Sequence, residues 1–388
     1  MPPSRSRRQF LQWSGALAAA SVTPGLSFAE NADFRNLLIL IELKGANDGL
    51  NTVIPYEEAA YKALRPRLAI PRDQVLQLNP GTGLHPALKP LLPLWEQKEL
   101  AVVQGIGYPS PNLSHFRSIE IWDTASRSDE YLDDGWLTRA FKSQPVPRSF
   151  AADGIVVGAT EMGPLQGLGT RAIAVSNTEN FLRQARLARP VEDQRNSALR
   201  HILSVERDIV QAAGKLNAHH TFKTDFPQGA FGNQVKTAAQ LIASNAGIAV
   251  VRLSLGGFDT HVNQPGIHAG LLKQIADGME ALKAALIELN RWNSTLVMTY
   301  AEFGRRPKEN QSNGTDHGTA NTHFIMGGRV KGGLYGQAPQ LERLDGNGNL
   351  PFGVDFRSVY ATALDKWWGV DSKAVFGQKF APLDLIRA

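Results

Sequence analysis

Leu37 to Leu43 is apolar at every position but Glu42 and breaks into the turn-forming run Lys44-Gly45-Ala46-Asn47-Asp48-Gly49. A short apolar run bounded by turn residues predicts a strand buried on both faces. Leu100 to Ile106, Ile248 to Leu255, Thr295 to Ala301 and His323 to Met326 read the same way, with shorter strands at Ile155–Val157 and Ala172–Val175. Helical spacing of apolar residues marks Ser197 to Gly214, Asn233 to Gly247, Pro265 to Asn290, and Asp355 to Trp368. Gly247 and Gly369 stand where a helix C-terminus favours glycine.

Helices and strands alternating between 233 and 301 predict an α/β fold, a mostly parallel sheet with helices on both faces. We expect one domain over 30–388, with an irregular insertion at about 126–196 that is rich in Gly, Pro and charge. Ligands of such sheets bind beyond the carboxyl ends of the strands. The polar residues that follow each strand are therefore the candidates for chemistry.

The first 29 residues read as an address. They hold three arginines and no acid; Ser6-Arg7-Arg8-Gln9-Phe10-Leu11 is a twin-arginine export motif, followed by an apolar stretch from Trp13 to Val22. Ten weakly apolar residues are too few to span about 30 Å of hydrocarbon. Small residues at Ser27 and Ala29 predict cleavage after Ala29, with the export machinery as a partner and a periplasmic or secreted destination. The signal's three arginines account for three of the five net positive charges. A near-neutral mature chain gives no footprint for nucleic acid, and no later apolar run is long enough for a membrane span. The absence of cysteine removes disulfides, thiolate metal sites and thiol nucleophiles.

Two imitations fail. Gly167 to Ala172 has the letters of a dinucleotide fingerprint but precedes a strand, and the calcium-loop start at Asp345 has Leu350 where glycine is required. Four strand-end segments survive: Asn47-Asp48; Ser114-His115-Phe116-Arg117-Ser118; Gly256-Gly257-Phe258-Asp259-Thr260-His261; and Glu302-Phe303-Gly304-Arg305-Arg306, followed by Thr315-Asp316-His317-Gly318. Carboxylates and imidazoles gathered at strand ends suit a divalent cation, which takes oxygen and neutral nitrogen donors. Asp48, Asp259, His261, Glu302, Asp316 and His317 are the candidate ligands. Asp48 has a turn-stabilising reading as well, and His268, on an apolar stripe, reads equally as a core histidine. Ser114 is either an N-cap or a nucleophile activated by the helix N-terminus, and Arg117 could clamp the oxygens of a phosphate or sulfate. His115 joins them as a third catalytic candidate.

At these residues the chain resembles a family of exported bacterial proteins, domain of unknown function 1501, placed in the alkaline phosphatase and sulfatase superfamily. The matching stretches are Gly45 to Asn51, Leu84 to Leu88, Ser114 to Ser118, Gly256 to His261, Glu302 to Arg306 and Thr315 to Gly318. The resemblance implies an alkaline-phosphatase-like sheet and one or two metal ions. It implies Asp48 as the first metal carboxylate, Ser114 as nucleophile, and Asp259, His261, Glu302 and His317 among the ligands. The chain departs from that pattern at Phe303, where the superfamily usually has a histidine, and in the short Asp259-x-His261 spacing; Glu42 rivals Asp48. The expected function is an exported hydrolase of phosphate or sulfate esters, dependent on zinc, calcium or manganese, with a small-molecule or glycan ester as substrate. The alternative is a degenerate scaffold that binds a ligand or partner outside the cytoplasm without turnover.

Overall fold

The structure, a computed structural model, describes residues 32–175, 210–216 and 220–387. The export signal, residues 176–196 of the middle segment and the helix expected at Ser197–Gly214 up to residue 209 lie outside the described residues; 210–215 are helical. Among the described residues no helix is long and apolar enough to cross a membrane.

The sequential strands of the main sheet are β1 (Leu37–Lys44), β2 (Leu100–Gly107), β3 (Ala152–Val157), β4 (Ala172–Val175), β5 (Ile248–Gly256) and β6 (Thr295–Tyr300). A hairpin outside that sheet, β7 (Arg305–Glu309) and β8 (Thr315–His317), precedes β9 (Asn321–Met326), β10 (Gly333–Gly336) and β11 (Val354–Asp355). Spatial order is β10-β2-β9-β6-β1-β5-β3-β4, with β11 also on β2. β1 lies between β5 and β6, parallel to both, in the register Glu42 opposite Ser254 and Tyr300. Among the described strands of this sheet, only β9 runs against its neighbours. The fold class is thus α/β with a mostly parallel sheet, and the middle segment contributes β3 and β4 to its edge.

Period-two alternation sends β1 side chains to two apolar layers. Leu37, Ile39, Ile41 and Leu43 pack with α1 (Leu92–Glu96), α3 (Ala230–Ala243) and α4 (Gln264–Glu288) through Leu94, Val235, Leu272, Ile275, Met279 and Leu282. Glu42 and its register partner Tyr300 face the other way, where Trp122 of α2 (His115–Thr124) stacks on Tyr300 and on Phe356 of α5 (Phe356–Ala361). Helices therefore cover both faces. The helix expected to run to Trp368 changes to π-helical hydrogen bonding over Thr362–Trp368 before Gly369, at φ 75°, ends it.

Three buried histidines make the fold acid-sensitive. Burial pushes His268 and His85 down to about 4 and His323 to about 3. The folded protein refuses protons that the unfolded chain accepts near pH 6.5, so stability is complete above that value and falls as pH drops toward 4. The expected loss is on the order of 3 kcal/mol for each of His268 and His323. Thermal melts from pH 7 to pH 4.5 should show a steadily falling Tm that flattens in His323→Asn; a flat wild-type profile would contradict this account.

Candidate metal centre

The carboxyl ends of β1, β2, β5 and β6 all open on one side of the sheet. Gly45 follows β1 at φ 106°, and a Cβ there would lie 2.6 Å from the Asp259 nitrogen, so the β1 and β5 loops touch only because residue 45 is glycine. His115 starts α2 after β2, Asp259 and His261 follow β5, Glu302 follows β6, and His317 closes the hairpin that leads into β9.

Three imidazoles converge on one carboxylate oxygen. Asp259 Oδ1 lies 3.0 Å from His261 Nε2, 3.3 Å from His317 Nε2 and 3.4 Å from His115 Nε2. The two imidazoles of His261 and His317 also meet, Nε2 to Nε2, at 3.0 Å. Each ring has an acceptor behind it. Nδ1 of His317 donates to the Leu113 carbonyl at 2.8 Å, Nδ1 of His115 to Glu302 Oε1 at 2.6 Å, and Nδ1 of His261 faces Asp316 Oδ1 at 3.4 Å. These partners assign the proton of each ring to Nδ1 and leave three Nε2 lone pairs at a carboxylate, of which that of His261 also faces Arg305 Nη1 at 3.4 Å. Lone pairs facing a carboxylate repel unless a cation stands among them; Arg305 reaches Asp259 and His261, and the Nε2 atoms of His115 and His317 have no such donor. His115, Asp259 and His317 offer ligand atoms within 4.8 Å of one another, and His115 Nε2 has no hydrogen-bond partner. The donor set therefore fits a divalent cation, with the carboxylate–histidine pairing typical of metal ligands behind it.

Arg305 holds this group from below. Its side chain is fully buried and donates to the carbonyls of Gly45, Ala46, Phe258 and Thr315 and to Asp259 Oδ1 at 2.5 Å. Burial opposes ionisation of Asp259, but the Arg305 hydrogen bond and charge bring its pKa down to about 2. The Glu302 hydrogen bond raises His115. A cation would displace the proton this favours, so metal binding should weaken as pH falls. Phe303 is buried against both rings, 4.9 Å from His115 and 4.8 Å from His317 between centroids, and braces them where a ligand was implied.

Two of the candidate residues are bonded to other partners. Asp48 is outside the group formed by His115, Asp259 and His317. It N-caps the short turn Gly49–Thr52, and Arg65 grips its carboxylate at 2.6 and 3.0 Å while Gln264 donates at 2.5 Å, all inside the protein. Burial raises the Asp48 pKa, but the charge of Arg65 outweighs it, and no lone pair is left for a metal. Arg117 is turned away from the histidines. It donates to the carbonyls of Arg127, Ser128 and Glu130, pairs with Glu120 and lies over the Tyr131 ring. Ser114 is exposed at the N-terminus of α2 without a capping bond, between Leu113 and His115, which both touch the cluster. Glu302 and Asp316 stand behind histidines, and Glu302 Oε1 also accepts from the Gly45 amide at 3.0 Å. Arg305 and Arg65 carried no role in the sequence reading; an arginine that ties loops together leaves no spacing signal.

The chain matches the family described as protein of unknown function, DUF1501, over residues 72–377. The chain belongs to the DUF1501 family. The match contains His115, Asp259, His261, Glu302 and His317, whereas the Gly45–Asn51 stretch precedes it. A twin-arginine translocation signal matches residues 6–24, which marks this DUF1501 member for export. No curated protein matches it. Among solved structures it is similar to Ps i-CgsB, at 10% identity, covering 88% of this chain and 72% of that one, with a TM-score of 0.41. It is also similar to alkaline phosphatase from the Antarctic bacterium TAB5 (12% identity, 76% and 91% covered, TM-score 0.35). A third is the lipoteichoic acid synthase LtaP from Listeria monocytogenes (9% identity, 79% and 68% covered, TM-score 0.34). Similarity of this degree leaves the chemistry to be argued from the residues.

Glu302→Gln tests the support behind His115. The amide keeps the size but presents no charge to Nδ1, and metal affinity should fall about 10- to 100-fold with little change in thermal stability. Competition with a metal-sensitive dye reads this directly; an unchanged affinity would remove Glu302 from the centre.

Proposed function

We propose that the protein is an exported metal-dependent hydrolase of phosphate or sulfate esters, acting in the periplasm or outside the cell after cleavage behind Ala29. The observation that carries this reading is the convergence of His115, His261 and His317 on Asp259, at the carboxyl ends of parallel strands and beside an open cavity. His115, His317 and Asp259, with His261 alongside, would hold the ion; zinc suits three imidazoles and one carboxylate best among zinc, manganese and calcium. When bound, the ion would supply Lewis acidity toward the ester oxygens.

The chain's own groups do the rest. Ser114 is the nucleophile: its hydroxyl stands in solvent at the N-terminus of a ten-residue helix, whose amides favour a developing negative charge. Arg305 keeps Asp259 ionised and fixes the β1, β5 and hairpin loops. Glu302 holds the His115 proton at Nδ1, so that Nε2 keeps its lone pair toward the site. A binding protein without turnover is the second reading, favoured by one observation, that Arg117 points away from the site.

The test is turnover of 4-nitrophenyl phosphate and 4-nitrophenyl sulfate by the metal-reconstituted protein. Ser114→Ala should lower kcat by at least about 100-fold while the metal content stays the same. Full activity in Ser114→Ala would dismiss the nucleophile, and metal bound without turnover of either ester or of sugar esters would favour the second reading.

A further inference from the structure

The cavity beside the histidines has a volume of about 480 Å³, and much of its wall plays no part in the chemistry above. Phe116 and Ile119 lie three residues apart on α2 and so share one face, and Phe116 is 89% exposed. Gly256 and Gly257 leave the wall beyond β5 as bare backbone, and a Cβ at Gly256 would meet nothing within 4 Å. Lys44, the last residue of β1, stands exposed at the rim, and its side-chain ammonium has no ion-pair or hydrogen-bond partner among the described residues. Glu161 also lines the cavity; its pKa is held down by its own backbone N–H and then by the charge of Lys44, although the two form no ion pair. Glu42 is already committed to Arg252 at 2.5 Å, and Glu302 to His115.

An exposed aromatic face, a cation without an ion pair and a carboxylate held by backbone amides and not by a side-chain cation, all around one cavity, describe a particular ligand. The apolar face covers the C–H side of a sugar ring, the carboxylate accepts from ring hydroxyls, and the cation meets an anion. A simple aryl ester would occupy Phe116 and leave Lys44 and Glu161 idle. We infer that this cavity receives the sugar ring of a saccharide sulfate or phosphate that carries a second anionic group: the ring on Phe116, its hydroxyls on Glu161 and the second anion on Lys44. The inference rests on the hydrolase reading only for the fate of the first ester group.

Isothermal titration of the metal-reconstituted protein tests it, with a disulfated disaccharide, a diphosphorylated one and the monosulfated and monophosphorylated forms of the same sugar as probes. Each doubly charged sugar should bind at least about tenfold tighter than its singly charged counterpart, the size of one charge-assisted hydrogen bond. Lys44→Gln should erase that preference, and Phe116→Ala should weaken every sugar by about tenfold, both with full metal content. Whichever doubly charged sugar binds tighter identifies the ester as sulfate or phosphate. Failure of the parent protein to bind either doubly charged sugar, or equal binding by both variants and the parent, would overturn the assignment. Saccharide binding without turnover would keep the subsite and remove the hydrolase; turnover of nitrophenyl esters without saccharide binding would do the reverse.

Discussion

Asp259→Asn is expected to lose both the ion and the esterase activity while remaining folded. Asp259 Oδ1 is the atom on which the three Nε2 atoms converge, at 3.0 to 3.4 Å. Asparagine keeps the shape and removes the only full negative charge within that group. Its amide N–H atoms can also donate to the imidazole lone pairs, which satisfies the metal-free site and lowers its appetite for a cation further. Arg305 loses a carboxylate but retains four carbonyl acceptors, so the loops stay tied. Removing a supporting residue costs about 10- to 100-fold in affinity, and removing a ligand should cost at least about 100-fold. Elemental analysis should find about one equivalent of a divalent ion in the parent, purified without chelators, and none in Asp259→Asn. Activity on nitrophenyl esters should fall by at least about three orders of magnitude, because the charge neutralisation of the transition state goes with the ion. A full equivalent of metal in Asp259→Asn would mean that the histidines bind elsewhere or not at all.

The central strands could be read from the sequence because burial on both faces leaves unbroken apolar runs; Leu37–Leu43 and Ile248–Leu255 each fall within one residue of the observed strands. The long helix was legible for the same reason, since its apolar stripe persists over seven turns and Pro265 marks its first turn. The hairpin Arg305–Glu309 with Thr315–His317 carries no such signal. Its residues are polar, and it is pinned from outside, by Arg305 beneath the loops and by Arg67 holding Glu309 at 2.7 Å. The histidines stood out because glycine-rich strand ends carry few side chains that are not needed there. Their grouping could not be computed from spacing, for His115, Asp259 and His317 are brought together by sheet order, with β6 and β1 lying between β9 and β5. Asp48 shows the same limit from the other side. A carboxylate in a strand-end turn looks like a ligand until its partner is known, and Arg65, 17 residues on, is invisible to any motif.

That partner makes the last prediction separable from the first. Asp48 and Arg65 are both fully buried and joined by two hydrogen bonds, with Gln264 completing the carboxylate and passing on to Thr260 and Thr315 at 3.0 and 2.7 Å. Asp48→Asn leaves the Arg65 guanidinium inside the protein without a counter-charge, which should cost about 3–5 kcal/mol of stability. Arg65→Met should cost a similar amount, because the carboxylate is then stranded. The double replacement removes both charges, and its loss should be smaller than the sum of the single losses by roughly 1–3 kcal/mol. Urea titrations of the four proteins measure this coupling. The ion should remain in folded Asp48→Asn at close to one equivalent, since no donor of the centre has been touched. The opposite pattern, full stability with the ion gone, would make Asp48 a ligand and would require the β1 turn to open away from Arg65 when metal binds.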